Sequence, residues 1–352
     1  MNRILKEIGW AAVAVDGFIP PNAFMEFQAY KVLVIAADIR QLEHIEYTPS
    51  PDIIHEAAGH APMIANPDYA EYLRRLGAIG AKTIWSHYDG QLYEAIRKLS
   101  ILKEAVGVDA SAIKIATEEV EALQSQKTTP SEMSKLRNLQ WWTVEYGLIG
   151  SLDKPKIYGA GLLSSIGESE WCLKPEVKKI PFSIDAAEMS FDITQPQPQL
   201  YVTPDFPFLM DVLEQFAETT ALRMGGKDGI QKLIDSKMTG TIELETGLQI
   251  TGLFHTHKTD KKGKISYIET TGDTALAYRE KELIGHGPGK YPSGIKIPFG
   301  KIYEIIIEGK KRKGEELTQL HPSFNEQMTL RSEEHTSELQ SPCNLVCRLL
   351  LE

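Results

Sequence analysis

Cysteine is nearly missing: only Cys172, Cys343 and Cys347 occur in 352 residues, too few and too unevenly spaced for a disulfide framework. A reducing, cytoplasmic setting is the expectation. Basic charge is also short. With 38 Lys and Arg against 48 Asp and Glu, the net charge is -10. A chain so balanced lacks the concentrated basic surface that displaces counterions from a phosphate backbone. No nucleic-acid partner is expected, and a small-molecule substrate is. Long apolar runs are absent as well, none approaching the roughly 20 residues of a membrane-spanning helix, so no membrane partner is expected either. The short stretch 8–15 behind Arg3 and Lys6 imitates a signal peptide, yet Glu7 interrupts it and no small-residue cleavage pattern follows.

What remains is an ordinary globular composition, 42% hydrophobic and 24% charged, sufficient for one large core or two. Residues 29–37 (AYKVLVIAA) are apolar and β-branched and read as a buried strand. Ser50 and Pro51 give a helix start, a capping oxygen followed by proline at the first helical position. Pro62 should end that helix after about three turns, so His55, Glu56 and His60 share it. From 69 to 137 the chain is charged and helix-favouring with breaks near Gly107 and Thr128, which suggests a helical insertion. Thr129, Pro130 and Glu132 read as a capping box opening a helix through Trp141, Trp142 and Glu145. After Met224 the pattern alternates, as in TIELETGLQITGLF and KISYIETT, with hairpin punctuation at 258–264. The expected division is 1–225, then a β-rich unit over 226–330. The terminal run 331–352, which opens RSEEHTSELQS, resembles translated sequencing-adapter sequence and is set aside.

HEAAGH, residues 55–60, is the strongest local signal. Zinc proteases place two histidines four apart, whereas His55 and His60 are five apart, about 140° around an ideal α-helix. They can still meet at one ion beside the helix end if a third ligand comes from elsewhere. Two imidazoles and one carboxylate with open positions form the ligand set of non-haem iron(II) oxygenases. Glu145 lies in the apolar run WWTVEYGL, where an unpaired carboxylate is costly to bury.

Three segments in order resemble the aromatic amino acid hydroxylases: 47–62 (YTPSPDIIHEAAGHAP), 141–148 (WWTVEYGL, where the family segment reads WFTVEFGL) and 158–168 (YGAGLLSSIGE). The likeness continues through QPQPQLYV and FAETTA and covers about residues 10–222. It implies a mainly α catalytic domain over 1–225, lacking its start, followed by the smaller β-rich unit. It makes His55, His60 and Glu145 the iron(II) ligands and turns Glu56 toward a tetrahydrobiopterin or related reduced pterin. Gly17 and Phe24 would belong to the pterin-binding loop. Arg40 would pair with the substrate carboxylate through its forked guanidinium, while Tyr47, Thr48, Pro49 and Trp141 line the amino acid pocket. Gly161, Ser164, Ser165 and Glu168 would lie beside the substrate, a hydroxyl there orienting the first histidine. The implied reaction uses dioxygen to hydroxylate an aromatic ring, phenylalanine to tyrosine by analogy with bacterial relatives. An inactive or regulatory metal-binding remnant is the alternative. A zinc hydrolase with Glu56 as base is disfavoured by the histidine spacing.

Departures from the family pattern are the long interval between His60 and Glu145, Gln140 in place of an aromatic residue, and Val34 where relatives carry a pterin-contacting histidine. His255 and His257 read as a solvated strand edge. Residues 285–294 (GHGPGKYPSG) read as a loop, lacking the glycine spacing of a phosphate cradle. Cys172 reads as a packed thiol, since no base stands near it.

Overall fold

Two apolar, β-branched stretches open the chain by pairing with each other. After α1 (Asn2–Glu7), β1 (Ala11–Val15) and β2 (Val32–Ala36) run parallel, Ala11 opposite Val32 and Val15 opposite Ala36. Parallel neighbours need a crossover, supplied by α2 (Pro21–Ala29), which has proline in its first turn. Lys31, at φ 60°, turns the chain from that helix into β2. The computed structural model describes residues 1–15, 19–40, 52–104, 109–126, 128–192 and 196–298, and the backbone of 304–307, 310–313 and 348–351.

The HEAAGH segment is one helical path of three kinds: α3 (Ile53–His55), a π turn (Glu56–His60) and α4 (Ala61–Ile64). Its cap is Asp52, whose side chain accepts from the His55 N–H; Ser50 and Pro51 lie outside the described residues. Pro62 does not end the helix as expected. It falls in the first turn of α4, where a missing N–H is tolerated. Asn66 then caps α5 (Pro67–Gly80), which packs on α2 so tightly that a Cβ on Gly77 would lie 2.5 Å from Met25 O.

The helix-favouring stretch forms a hairpin of α6 (His87–Glu104) and α7 (Ala110–Gln124), followed by α8 (Glu132–Gln140) and a second π turn (Trp141–Glu145). The cap of α8 is Ser131, which accepts from Ser134 N–H, rather than Thr129. Glu132 is drawn away from capping because backbone N–H groups of Ile84 and Ala221 claim its carboxylate.

Next come β3 (Leu148–Gly150), β4 (Pro155–Ile157), α9 (Ala160–Ser164), α10 (Ile166–Trp171), β5 (Lys178–Pro181) and β6 (Gln199–Thr203). The strands form a sheet ordered β4-β3-β6-β5, and α11 (Phe206–Ala217) and α12 (Ala221–Met224) close this part. Its core holds Trp142, Tyr69, Tyr72, Tyr158 and Phe216, each under 3% exposed.

The remainder is α13 (Gly226–Ser236) on a sheet of β7 (Thr239–Leu244), β8 (Leu248–Thr259), β9 (Ile265–Tyr278), β10 (Lys281–Glu282) and β11 (Lys296–Pro298). All these pairings are antiparallel. A turn at 245–247, unread in the sequence, splits TIELETGLQITGLF into β7 and β8, with Gly247 at φ 80°. Backbone strands β12 (Glu304–Ile307) and β13 (Lys310–Lys313) pair with each other, and β14 (Arg348–Leu351), from the run set aside above, lies parallel to β7. The architecture is therefore mixed α/β rather than mainly α: β2 falls within the stretch 29–37 read as a strand, whereas β3 to β6 are three to five residues long, too short for periodicity to reveal. No described helix is long and apolar enough to cross a membrane.

Candidate metal centre

His55 ends α3 and His60 ends the first π turn. The wider turn removes the 140° separation expected of an α-helix. With Ala61 N–H bonded to Glu56 O, an i→i+5 bond, residues five apart share a face as residues four apart do in an α-helix. The Nε2 atoms come within 3.0 Å of each other. Glu145 ends the second π turn, closed by Tyr146 N–H to Trp141 O at 2.9 Å. Its Oε2 lies 3.3 Å from His55 Nε2 and its Oε1 3.4 Å from His60 Nε2. Donors each about 2.1 Å from one ion, at right angles, stand about 3.0 Å apart, so three side chains from distant segments have the spacing of ligands to a single cation. Glu56 joins the two histidines within 4.8 Å. Glu145 meets both Nε2 atoms, whereas Glu56 Oε2 lies 4.0 Å from His60 Nε2.

Ser164 prepares His55. Its hydroxyl donates to Ala160 O at 2.8 Å, which leaves a lone pair for His55 Nδ1 at 2.9 Å. His55 therefore carries its proton on Nδ1 and offers the Nε2 lone pair. Burial opposes charge on His60, but Glu145 and Glu56 outweigh it and hold its pKa at about 9. Burial likewise works against the Glu145 carboxylate, and the two imidazoles nonetheless keep it well below the ordinary range. A carboxylate that attracts positive charge from both sides suits a cation. Glu56 is raised by burial above its usual value, and its Oε2 is buried without a hydrogen-bond partner. Such an atom is costly unless something polar meets it.

Glycines lock the three motifs together. A Cβ on Gly59 would lie 2.6 Å from Ala160 O, one on Gly159 2.4 Å from Glu145 O, and one on Gly161 3.1 Å from Glu145 O. The backbones carrying His60, Glu145 and Ser164 thus touch where only glycine permits it.

The other predicted residues divide into groups. Arg40 is buried and forked onto Asp52, with Nε to Oδ2 at 2.9 Å and Nη2 to Oδ1 at 2.7 Å, and its Nη1 donates to Ser164 O at 2.7 Å. Burial raises the Asp52 pKa, but hydrogen bonds from Arg40 and the His55 backbone outweigh this and bring it to about 2. Trp141 is stacked between Phe191 at 4.1 Å and Tyr146 at 4.5 Å. Ser165 caps α10 through Glu168 N–H. Glu168 is buried, which pushes its pKa up to about 7, and accepts from the Tyr146 hydroxyl. Phe24 is half-buried on α2. Gly17, Tyr47, Thr48 and Pro49 lie outside the described residues. Asp52, Tyr146 and Phe191 escaped the sequence reading; for Asp52 the signal was an acidic residue three before His55. His255 is exposed, and His255 and His257 form no ligand group among the described residues. Residues 285–294 are turns, and Cys172 is buried with its pKa raised to about 11 by burial.

A two-histidine, one-carboxylate centre on a helical scaffold defines the class as a non-haem metal protein of the oxygenase type. Residues 1–88 and 115–225 match the family model of the biopterin-dependent aromatic amino acid hydroxylases, and the chain belongs to that family. It is 29% identical over 221 residues to a phenylalanine-4-hydroxylase of Dictyostelium discoideum, covering 62% of this chain and 40% of that protein. It is also 29% identical over 218 residues to the phenylalanine-4-hydroxylase of Vibrio cholerae, covering 61% of this chain and 60% of that one. The chain thus spans roughly half the length of these relatives. The crystal structure of Chromobacterium violaceum phenylalanine hydroxylase with iron(III) and 7,8-dihydrobiopterin aligns at 28% identity with a TM-score of 0.44, over 62% of this chain and 67% of that one. The matched blocks skip 89–114, most of α6 and the start of α7, so the long interval between His60 and Glu145 is an insertion relative to the family model.

Proposed function

We propose that this protein is an iron(II)- and pterin-dependent monooxygenase that hydroxylates the ring of an aromatic amino acid, converting phenylalanine to tyrosine. The observation carrying this reading is the convergence of His55, His60 and Glu145 at ligand spacing, with Ser164 fixing the His55 tautomer. Iron and reduced pterin supply the activation of dioxygen. The protein's own groups bind, orient and exclude water. His55, His60 and Glu145 would hold the metal. Glu56 would turn toward the pterin its Oε2, which has no hydrogen-bond partner among the described residues, and the family resemblance assigns Gly17 and Phe24 to the same cofactor. Arg40, preorganised by Asp52 and the Ser164 carbonyl, receives the substrate carboxylate. Trp141 would line the ring pocket, to which the family resemblance also assigns Tyr47, Thr48, Pro49 and Gly161.

The test is phenylalanine-dependent tyrosine formation by the iron(II)-loaded protein with tetrahydropterin, alongside Glu145→Ala. Turnover that needs iron and pterin and disappears in the variant is the expected result. Iron binding without turnover on phenylalanine, tyrosine or tryptophan would favour the remnant reading, and pterin-independent activity with zinc would overturn the assignment.

A further inference from the structure

We propose that Tyr146 is a positioning residue for substrate selection, holding Glu168 as the acceptor for the α-ammonium group of the amino acid. The inference rests on the function proposed above and names a contact at the same site. The sequence departs from the family segment here, with tyrosine where WFTVEFGL has phenylalanine. The added hydroxyl has a definite partner, lying 3.0 Å from Glu168 Oε1 and 2.9 Å from Oε2. A hydroxyl nearly equidistant from both oxygens faces the head of the carboxylate and holds that head in place. Glu168 is only 5% exposed, and a buried carboxylate needs a cation or donors to meet it.

The surroundings point to a zwitterion. The corner between α9 and α10 carries Arg40 on the Ser164 carbonyl, while Ser165 caps the turn that bears Glu168. A guanidinium is thus bonded to Ser164, while the backbone of the residue that bears the carboxylate is capped by the adjacent Ser165, which puts groups of both signs at one corner for the two charged ends of an α-amino acid. Tyr146 also makes aromatic contact with residues assigned to the substrate by the family resemblance. Trp141 stacks on its ring at 4.5 Å, and a Cβ on Gly161 would lie 3.2 Å from its Cε2. Three residues assigned to the substrate by the family resemblance, Trp141, Gly161 and Glu168, therefore meet around one tyrosine that was not.

The experiment measures binding of L-phenylalanine and of 3-phenylpropionate, which lacks only the amino group, to the iron(II)-loaded full chain by calorimetry. Wild type, Tyr146→Phe and Glu168→Gln are compared, with iron stoichiometry and thermal unfolding recorded for each. The expected result is that wild type prefers phenylalanine and that the preference falls about 10-fold in both variants, through phenylalanine alone, with iron stoichiometry unchanged. In turnover, KM for phenylalanine should rise while kcat is largely kept. An undiminished preference in Tyr146→Phe overturns the role of Tyr146. If that variant binds neither ligand, Glu168→Gln decides, since it keeps the tyrosine and must still lose the preference. Binding of neither ligand by wild type would sink the proposed function itself, a different failure from loss of selectivity alone.

Discussion

At the scale of single residues, the site depends on side chains that never touch the metal position. Ser164 fixes the His55 tautomer by giving its own proton to Ala160 O. Ser164→Ala should weaken iron(II) binding about 10- to 100-fold, measured by competition with a chelator, without abolishing the fold. Affinity equal to wild type would show that the tautomer is set by other means. Asp52 has two tasks, capping the ligand helix and forking Arg40. Its pKa of about 2 lies below the ordinary 3.8, so the folded state binds this proton less readily than the unfolded one. The stabilisation is present above about pH 4 and is lost as pH falls through about 2, and the shift corresponds to about 2 kcal/mol. Asp52→Asn should therefore be destabilised by about that amount at pH 7, with the gap to wild type narrowing below pH 4. Urea midpoints across that range would show it, and a pH-independent gap would refute the linkage. The convergence of His55, His60 and Glu145 was legible in the sequence because HEAAGH and a glutamate inside an apolar run are conspicuous. Asp52 was not, since an acidic residue before a helix usually faces water.

Among the elements, the π turns decide the geometry. The sequence offers spacing, and spacing converts to angle only when the helix type is known. Read as α, His55 and His60 diverge; read as π, they converge at 3.0 Å. The wide turn arises from longer-range packing rather than local propensity. Gly59 rests directly on Ala160, so the helix bulges where α9 presses against it. This makes glycine substitutions a graded test. Gly59→Ala, with its Cβ 2.6 Å from Ala160 O, should cost about 1–3 kcal/mol or more and reduce iron stoichiometry by displacing α9 and Ser164. Gly161→Ala, at 3.1 Å from its nearest neighbour, should be milder. Gly90→Ala in α6 meets nothing within 4 Å and should be neutral or stabilising by up to about 1 kcal/mol. Thermal unfolding ranks them, and any other order would contradict the interlocking. Both helix starts were read two residues early, Ser50 for Asp52 and Thr129 for Ser131, and at the second the competing partners, the Ile84 and Ala221 N–H groups at Glu132, are remote in sequence.

On the scale of the whole molecule, the change of pattern after Met224 was visible as alternation replacing helical spacing, yet the seam between the two parts was not. The second core recruits Ile84 and Ala221 from the helical part, packed with Ile230, Leu233, Ile242 and Phe254. Glu132 is the polar clasp of that seam. Its carboxylate, 11% exposed, accepts from Ile84 N–H at 3.2 Å, Ala221 N–H at 2.6 Å and the Lys232 ammonium. Lys232 also donates to Thr219 O, so α8, the segment before α6, α12 and α13 meet at one side chain. A cavity of about 510 Å³ runs beside it. Because hydrogen bonds to a charged group contribute about 1.5–3 kcal/mol each and two backbone donors would be orphaned, Glu132→Ala should loosen the β-rich unit far more than it disturbs the iron site. Calorimetry should then resolve two unfolding transitions where wild type gives one, with iron(II) affinity kept within about 3-fold, an energy below 1 kcal/mol. A single transition shifted as a block, with iron binding lost in parallel, would mean instead that the β-rich unit and the metal centre form one cooperative body.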